Sequence, residues 1–156
     1  MRVVLFMLNF VAFATYAQTI PITKSGDQMS FEGIVTADSM TADQIQEAVI
    51  NWTGTIFNNA KSVITSSTPS KIVGNFILAH NTGVVSVDMD HRLTIDIKQG
   101  KARMMITSED LSKWIVKNNG EWYGMYEKTR IRAEKAFNAL FISLQDAILS
   151  AKNDDW

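Results

Sequence analysis

"VDMDHRLTIDIKQGKARMMI", residues 87–106, decides the fold, because Gln99-Gly100 interrupts two runs in which apolar and polar residues alternate. That pattern is a hairpin loop between two half-buried strands. With the loop there, Ile97 falls opposite Ala102, Asp96 opposite Arg103, Ile95 opposite Met104 and Leu93 opposite Ile106. Apolar meets apolar and acid meets base, as cross-strand pairs require. The same stretch crowds Asp88, Asp90, His91 and Arg92 together, which raises the question of a metal or catalytic site. In a strand, successive side chains point to opposite faces. Val87, Met89, His91, Leu93, Ile95 and Ile97 then share one face, and Asp88, Asp90, Arg92, Thr94 and Asp96 the other. A single metal needs its ligands to converge within about 2 to 2.6 Å, and these diverge unless a bulge intervenes. His91 is therefore expected at the edge of the core beside a solvated charged face. His80 is expected at a turn, facing solvent or capping.

Upstream, "SVITSS" and "KIVGNFILAH" give two strands joined through Pro69, and "HNTGV" gives a further turn. Before them, "MTADQIQEAVINWTGTIFNNAKS" is a helix. Thr41 and Gln44 have capping-box spacing, and Met40 and Ile45 sit where a hydrophobic staple closes. Ile45, Ala48, Val49, Trp52 and Ile56 recur at three- and four-residue steps as a buried stripe. Gly54 costs this helix about 1 kcal/mol relative to alanine. "MSFEGIVTA" is a first strand with Met29, Phe31, Gly33 and Val35 on one side. Downstream, Trp114, Trp122, Tyr123 and Tyr126 are expected to fold the connection 109–126 back on the body. A helix resumes at Glu127, with Phe137, Leu140, Phe141, Leu144 and Ile148 on one face. The expected order is strand, helix, four strands, helix. The fold class is α+β: one domain over residues 29–152, a curved antiparallel sheet with two helices on one face.

"MRVVLFMLNFVAFATYA", residues 1–17, has one cation, an apolar run and small residues at Thr15 and Ala17, the form of a secretory signal peptide cleaved before Gln18. An uncleaved anchor is the lesser reading, since a spanning helix needs about 20 apolar residues. Residues 18–28, "QTIPITKSGDQ", have no periodicity and are expected to be a flexible lead. No later run is apolar for long enough to span a bilayer, so no transmembrane segment is expected after cleavage. A periplasmic or secreted location follows.

Composition narrows the chemistry. With Cys 0 there is no disulfide, no thiolate nucleophile and no lipid-attachment thiol. Fifteen Lys and Arg stand against 16 Asp and Glu, a balance that argues against a nucleic-acid partner. No serine lies in a nucleophile-elbow context and no glycine-rich loop opens a helix. Glu109-Asp110 and Asp154-Asp155 are read as a turn and a terminal tail. We expect no catalytic residues, no cofactor and no metal. Asn51-Trp52-Thr53 has the form of a glycosylation acceptor, but it falls within a helix beside a core tryptophan.

The leading expectation is an exported, non-catalytic binding or accessory module for a protein or cell-envelope partner. The alternative is a carrier of a small apolar ligand, held between the sheet and the C-terminal helix by Leu93, Ile95, Met104, Phe137 and Phe141. Met89, Met104, Met105 and Met125 would line such a pocket or simply fill the core. A hydrolase-type enzyme comes third.

The element order, with "MTADQIQEAVINWTGTIFNNAKSVI", "KIVGNFIL" and "HRLTIDIKQGKARMMITS", resembles a bacterial exported domain family of unknown function with a TBP-like (TATA-binding-protein-like) fold. The resemblance covers residues 29–108, and the C-terminal helix fits it by position. It implies a periplasmic or surface location, often through a lipidated cysteine that this chain lacks, and it transfers no catalytic residue. The fold name does not imply DNA binding.

Overall fold

A computed structural model of the chain describes residues 19–25, 28–81, 86–108, 117–118, 121–122 and 125–152. The segment read as a signal peptide, residues 82–84 of the turn expected at HNTGV, and residues 109–116, 119–120 and 123–124 of the connection 109–126, Trp114 and Tyr123 among them, lie outside the described residues.

The hairpin quoted above forms as its sequence requires. β5 (Ser86–Lys98) and β6 (Lys101–Ser108) pair with Ile97 opposite Ala102, Asp96 opposite Arg103, Ile95 opposite Met104 and Leu93 opposite Ile106. Gly100 takes φ 76°, the left-handed region that only glycine enters without strain. The tip is held from outside: Ala37 N–H donates to the Gly100 carbonyl at 2.8 Å and Gly100 N–H to the Met40 carbonyl at 3.0 Å.

β2 (Gln28–Thr36) pairs antiparallel with β6, placing Phe31 opposite Ile106 and Glu32 opposite Met105. β3 (Ile64–Thr68) and β4 (Lys71–Asn81) join through Pro69-Ser70, and β4 pairs with β5 along its whole length. His80, expected at a turn, is a strand residue opposite Val87. β1 (Thr23–Ser25) completes a six-stranded sheet of order β1-β2-β6-β5-β4-β3. β7 (Lys117–Asn118) and β8 (Glu121–Trp122) form a separate two-stranded ribbon.

The expected flexible lead is a correction. Residues 19–25 are tied down, because Asn138 exchanges two hydrogen bonds with the Ile20 backbone, N–H to Oδ1 and Nδ2 to carbonyl, each 2.9 Å. Glu134 accepts from the Ile22 N–H at 3.1 Å, so helix side chains replace a missing strand neighbour. Ile20 and Ile22 thereby pack against the core.

α1 (Ala42–Ile56) starts at the expected capping box, with Thr41 accepting from the Gln44 N–H and the Gln44 side chain accepting from the Thr41 N–H. It buries Ile45, Ala48, Val49 and Trp52. Ile56, expected in that stripe, is 37% exposed, because the helix end runs past the elements it packs on. Asn51-Trp52-Thr53 is helical, with Trp52 and Thr53 buried. Gly54 is exposed, and a Cβ there would meet nothing within 4 Å. Gly54→Ala should therefore stabilise the protein by about 0.5 to 1 kcal/mol in urea denaturation, through helix propensity and a less free unfolded chain. After the short α2 (Ala60–Val63) and the sheet, α3 (Met125–Ala151) lies beside α1. Trp52 Nε1–H donates to Ser143 Oγ at 2.9 Å across the two helices. Both helices cover one face of the sheet, where Phe31, Val35, Leu93, Ile95, Met104, Ile106, Phe137, Leu144 and Ile148 form the core. Among the described residues no helix covers the other sheet face, called the open face below.

Candidate functional site

Strand alternation separates the acid and histidine cluster. Asp88 and Asp90 are exposed on the open face, whereas His91 is 1% exposed on the helix side. Its ring packs edge-to-face on Phe137, with centroids 5.1 Å apart, and tilted on Phe76 at 5.2 Å. His91 Nδ1 hydrogen-bonds Ser108 Oγ. A serine hydroxyl on an imidazole is the geometry of a nucleophile and its base, but Ser108 is itself buried beneath the sheet. Among the described residues no group of three or more His, Cys, Asp or Glu could hold a metal ion.

A transverse charge row crosses the open face. Asp96 contacts Lys71 Nζ at 3.2 Å on β4 and Arg103 Nη2 at 2.5 Å on β6, and Arg103 reaches Glu32 at 3.8 Å on β2. The Arg103 hydrogen bond chiefly holds the Asp96 carboxyl below the usual carboxylate range; partial burial opposes this and Lys71 adds to it. A carboxyl depressed in the folded state leaves the unfolded state binding more protons in acid. The stability it contributes is present above an unfolded pKa of about 3.9 and is lost as pH falls through the lower folded value. Asp96→Asn should therefore flatten the acid limb of stability below about pH 4, as denaturant titrations between pH 2.5 and 6 would record. Lys98 and Lys101 join this end of the face, while Asp88 and Asp90 lie farther along β5, so the open face carries both signs.

The candidate site is at the margin of β4. α1 ends at Ile56, and Phe57 closes it by donating its N–H to the Thr53 carbonyl. The Phe57 ring packs on Trp52 at 6.1 Å and on Phe76 at 5.8 Å. α2 then leads the chain away. α3 faces the gap with Ala136, Ala139, Leu140 and Ser143, residues mostly too small to close it. What remains is an open pocket of ≈ 890 Å³ floored by Phe57, Val63, Phe76, Leu78 and Leu140. Asn58, Asn59, Ser62, Asn75 and Asp90 give it a polar rim. Ser143 is already engaged, accepting from Trp52 and donating to the Leu140 carbonyl at 2.8 Å.

None of the residues expected to hold an apolar ligand lines this pocket. Leu93, Ile95, Met104, Phe137 and Phe141 all lie in the core, at the centre of the sheet-helix junction. Phe141 fills that centre by resting on Gly33, where a Cβ would stand 2.5 Å from its ring. The pocket sits to one side of them. The signals that point to it are Ala136 and Ala139 preceding Leu140 on a helix, and a β4 run longer than its β3 partner.

No protein-family profile and no curated protein matches the chain. Among solved structures it is similar to a DUF4468 family protein from Bacteroides ovatus, with TM-score 0.59 and 13% identity over 86% of this chain and 91% of that one. It is likewise similar to a TBP-like protein from Parabacteroides distasonis, with TM-score 0.59 and 10% identity over 80% of this chain and 97% of that one. The likeness is one of fold: the chain has the TBP-like α+β architecture.

Proposed function

We propose that the protein is an exported, non-catalytic binding module, and that its ligand site is the pocket at the β4 margin. The observation that carries this reading is the pocket itself, ≈ 890 Å³ with an aromatic and aliphatic floor and its amides at the rim. Ligand sites typically enclose about 300 to 1,000 Å³ with such a lining. An apolar guest gains about 25 cal/mol for each Å² it removes from water, and the rim amides orient it. Export is supported by the signal-like residues 1–17. It is also compatible with the finding that no helix among the described residues is long and apolar enough to cross a membrane. The mixed charges of the open face favour a partner other than nucleic acid.

Anilinonaphthalene sulfonate, an apolar dye, should bind the folded protein saturably at one site. Ala139→Trp should abolish that binding with stability unchanged within about 0.5 kcal/mol, since Ala139 is exposed on α3 beside the pocket. Non-saturable binding, or binding indifferent to Ala139→Trp, would sink the pocket as a site. N-terminal sequencing of the protein from its host's envelope fraction should begin at Gln18; an intact Met1 would favour an anchored form.

A further inference from the structure

We infer that the occupant of this pocket is an extended peptide segment, which hydrogen-bonds to the margin of β4 that no described strand pairs and lowers alternate apolar side chains onto Phe57, Phe76 and Leu140. The inference rests on the pocket being the binding site. β3 pairs with β4 only as far as Ile64 opposite Gly74. β4 continues to Asn81, paired with β5 without a register shift. Over residues 75–81, β4 therefore has a strand neighbour on one side only among the described residues. The chain that would have continued β3 has turned off through α2, whose Val63 carbonyl oxygen lies 2.9 Å from where a Cβ on Gly74 would stand.

The backbone groups on that margin can be assigned. Thr65 and Thr68 hydroxyls donate to the carbonyls of Val73 and Lys71 at 3.2 and 3.1 Å, so odd-numbered residues face β3. Ile97 N–H donates to the Ser70 carbonyl at 2.8 Å, so even-numbered residues face β5. An unshifted ladder preserves this alternation. Asn75, Ile77 and Ala79 thus aim their N–H and C=O groups at the side that no described strand occupies. The usual guards of a free strand margin are lysine, proline or a bulge. This margin has neither lysine nor proline, its ladder with β5 is unshifted, and Ile77 stands 66% exposed on it.

Side-chain alternation then fixes the partner's pattern. Residues opposite Phe76 and Leu78 point into the pocket and should be apolar. Residues opposite Ile77 emerge on the open face, where Asp88 and Asp90 of β5 follow, and should be lysine or arginine. Strand addition combines backbone hydrogen bonds with pockets for alternate side chains in this way. A small apolar molecule has no use for the row of backbone groups.

The test is fluorescence anisotropy of a labelled, capped octapeptide of alternating lysine and leucine against the purified protein. It is repeated with the same peptide N-methylated at alternate amides, and with Ile77→Pro. Proline at 77 removes an N–H that faces the margin and leaves the β4–β5 ladder whole. We expect saturable one-to-one binding, weakened at least about tenfold by N-methylation and by Ile77→Pro, while the wild-type protein binds the dye. If Ile77→Pro fails to fold, the methylated peptide on the wild-type protein decides alone. Dye binding with no peptide binding, or with equal binding of the methylated peptide, overturns the peptide inference and leaves the pocket reading standing; loss of saturable dye binding removes the pocket reading itself. Dimers in sedimentation that the peptide does not dissociate would place a second copy of the chain on the margin and also overturn the inference.

Discussion

Phe141→Ala is expected to lower the unfolding free energy by about 3 to 5 kcal/mol, the cost of a large cavity in a core that cannot collapse. The ring is 9% exposed, meets Phe31 edge-to-face with centroids 6.2 Å apart, and lies directly over Gly33. Gly33 is the counterpart of that ring. An alanine Cβ there would stand 2.5 to 2.9 Å from three Phe141 ring carbons, so Gly33→Ala alone should cost about 1 to 3 kcal/mol through overpacking. The two changes should not add. With Phe141 already alanine, the extra methyl meets no ring and fills part of the void, giving a coupling of about 1 kcal/mol or more in a double-mutant cycle. Urea denaturation of the four proteins measures it, and additive costs would mean that the ring does not rest on Gly33.

His91→Ala should cost about 3 kcal/mol, well above either of its acidic neighbours. Removing the imidazole leaves a void between Phe76 and Phe137 and takes a hydrogen-bond partner from Ser108 in a buried setting. The unsatisfied hydroxyl accounts for about 1 to 3 kcal/mol, and the cavity for the remainder. Replacing both partners with apolar groups, His91→Leu with Ser108→Ala, should recover part of the loss, since neither is then left unpaired. Asp88→Ala and Asp90→Ala should each change stability by less than about 1 kcal/mol, as exposed charges do. An Asp90→Ala penalty equal to that of His91→Ala would refute the division of faces that keeps these residues apart.

That division was legible because a period of two with a glycine turn carries its own register. The β5–β6 pairs and the alternating burial of β2 follow from it directly. The capping box was legible for a related reason: Thr41 and Gln44 satisfy backbone donors within one turn of helix. Features made by distant pieces of chain were not legible. Ile20 and Ile22 alternate as strand residues do, yet Pro21 and Gly26 read as coil. What orders them is Asn138 and Glu134, on a helix at the far end of the sequence. Ile56 continues the α1 stripe in periodicity, but periodicity does not say where the packing surface stops. The pocket escaped for the same reason: it arises because β4 outlasts β3 while α2 leads the chain aside, and the small α3 residues Ala136 and Ala139 acquire meaning only once that mismatch of lengths sets them over the gap. The ligand residues proposed from sequence were placed at the centre of the helix-sheet junction, where Phe141 on Gly33 leaves the least room.

The strand order fixes a timetable for assembly. β3, β4 and β5 each pair with the next strand in the chain, so their ladders close short loops and can form early. β2 pairs with β6, and everything between them must be in place before Phe31 can meet Ile106. Loop closure costs grow only by about 0.6 kcal/mol per doubling of length, but such long-range pairings dominate folding time. β2, although made early, is therefore joined to the rest of the sheet late. In a chain threaded through a membrane N-terminus first, β2 would emerge with its alternating apolar side exposed and stay so until β6 arrived. The interval between those two events, rather than the stability of the finished sheet, sets how long the chain is open to aggregation or to a holding chaperone.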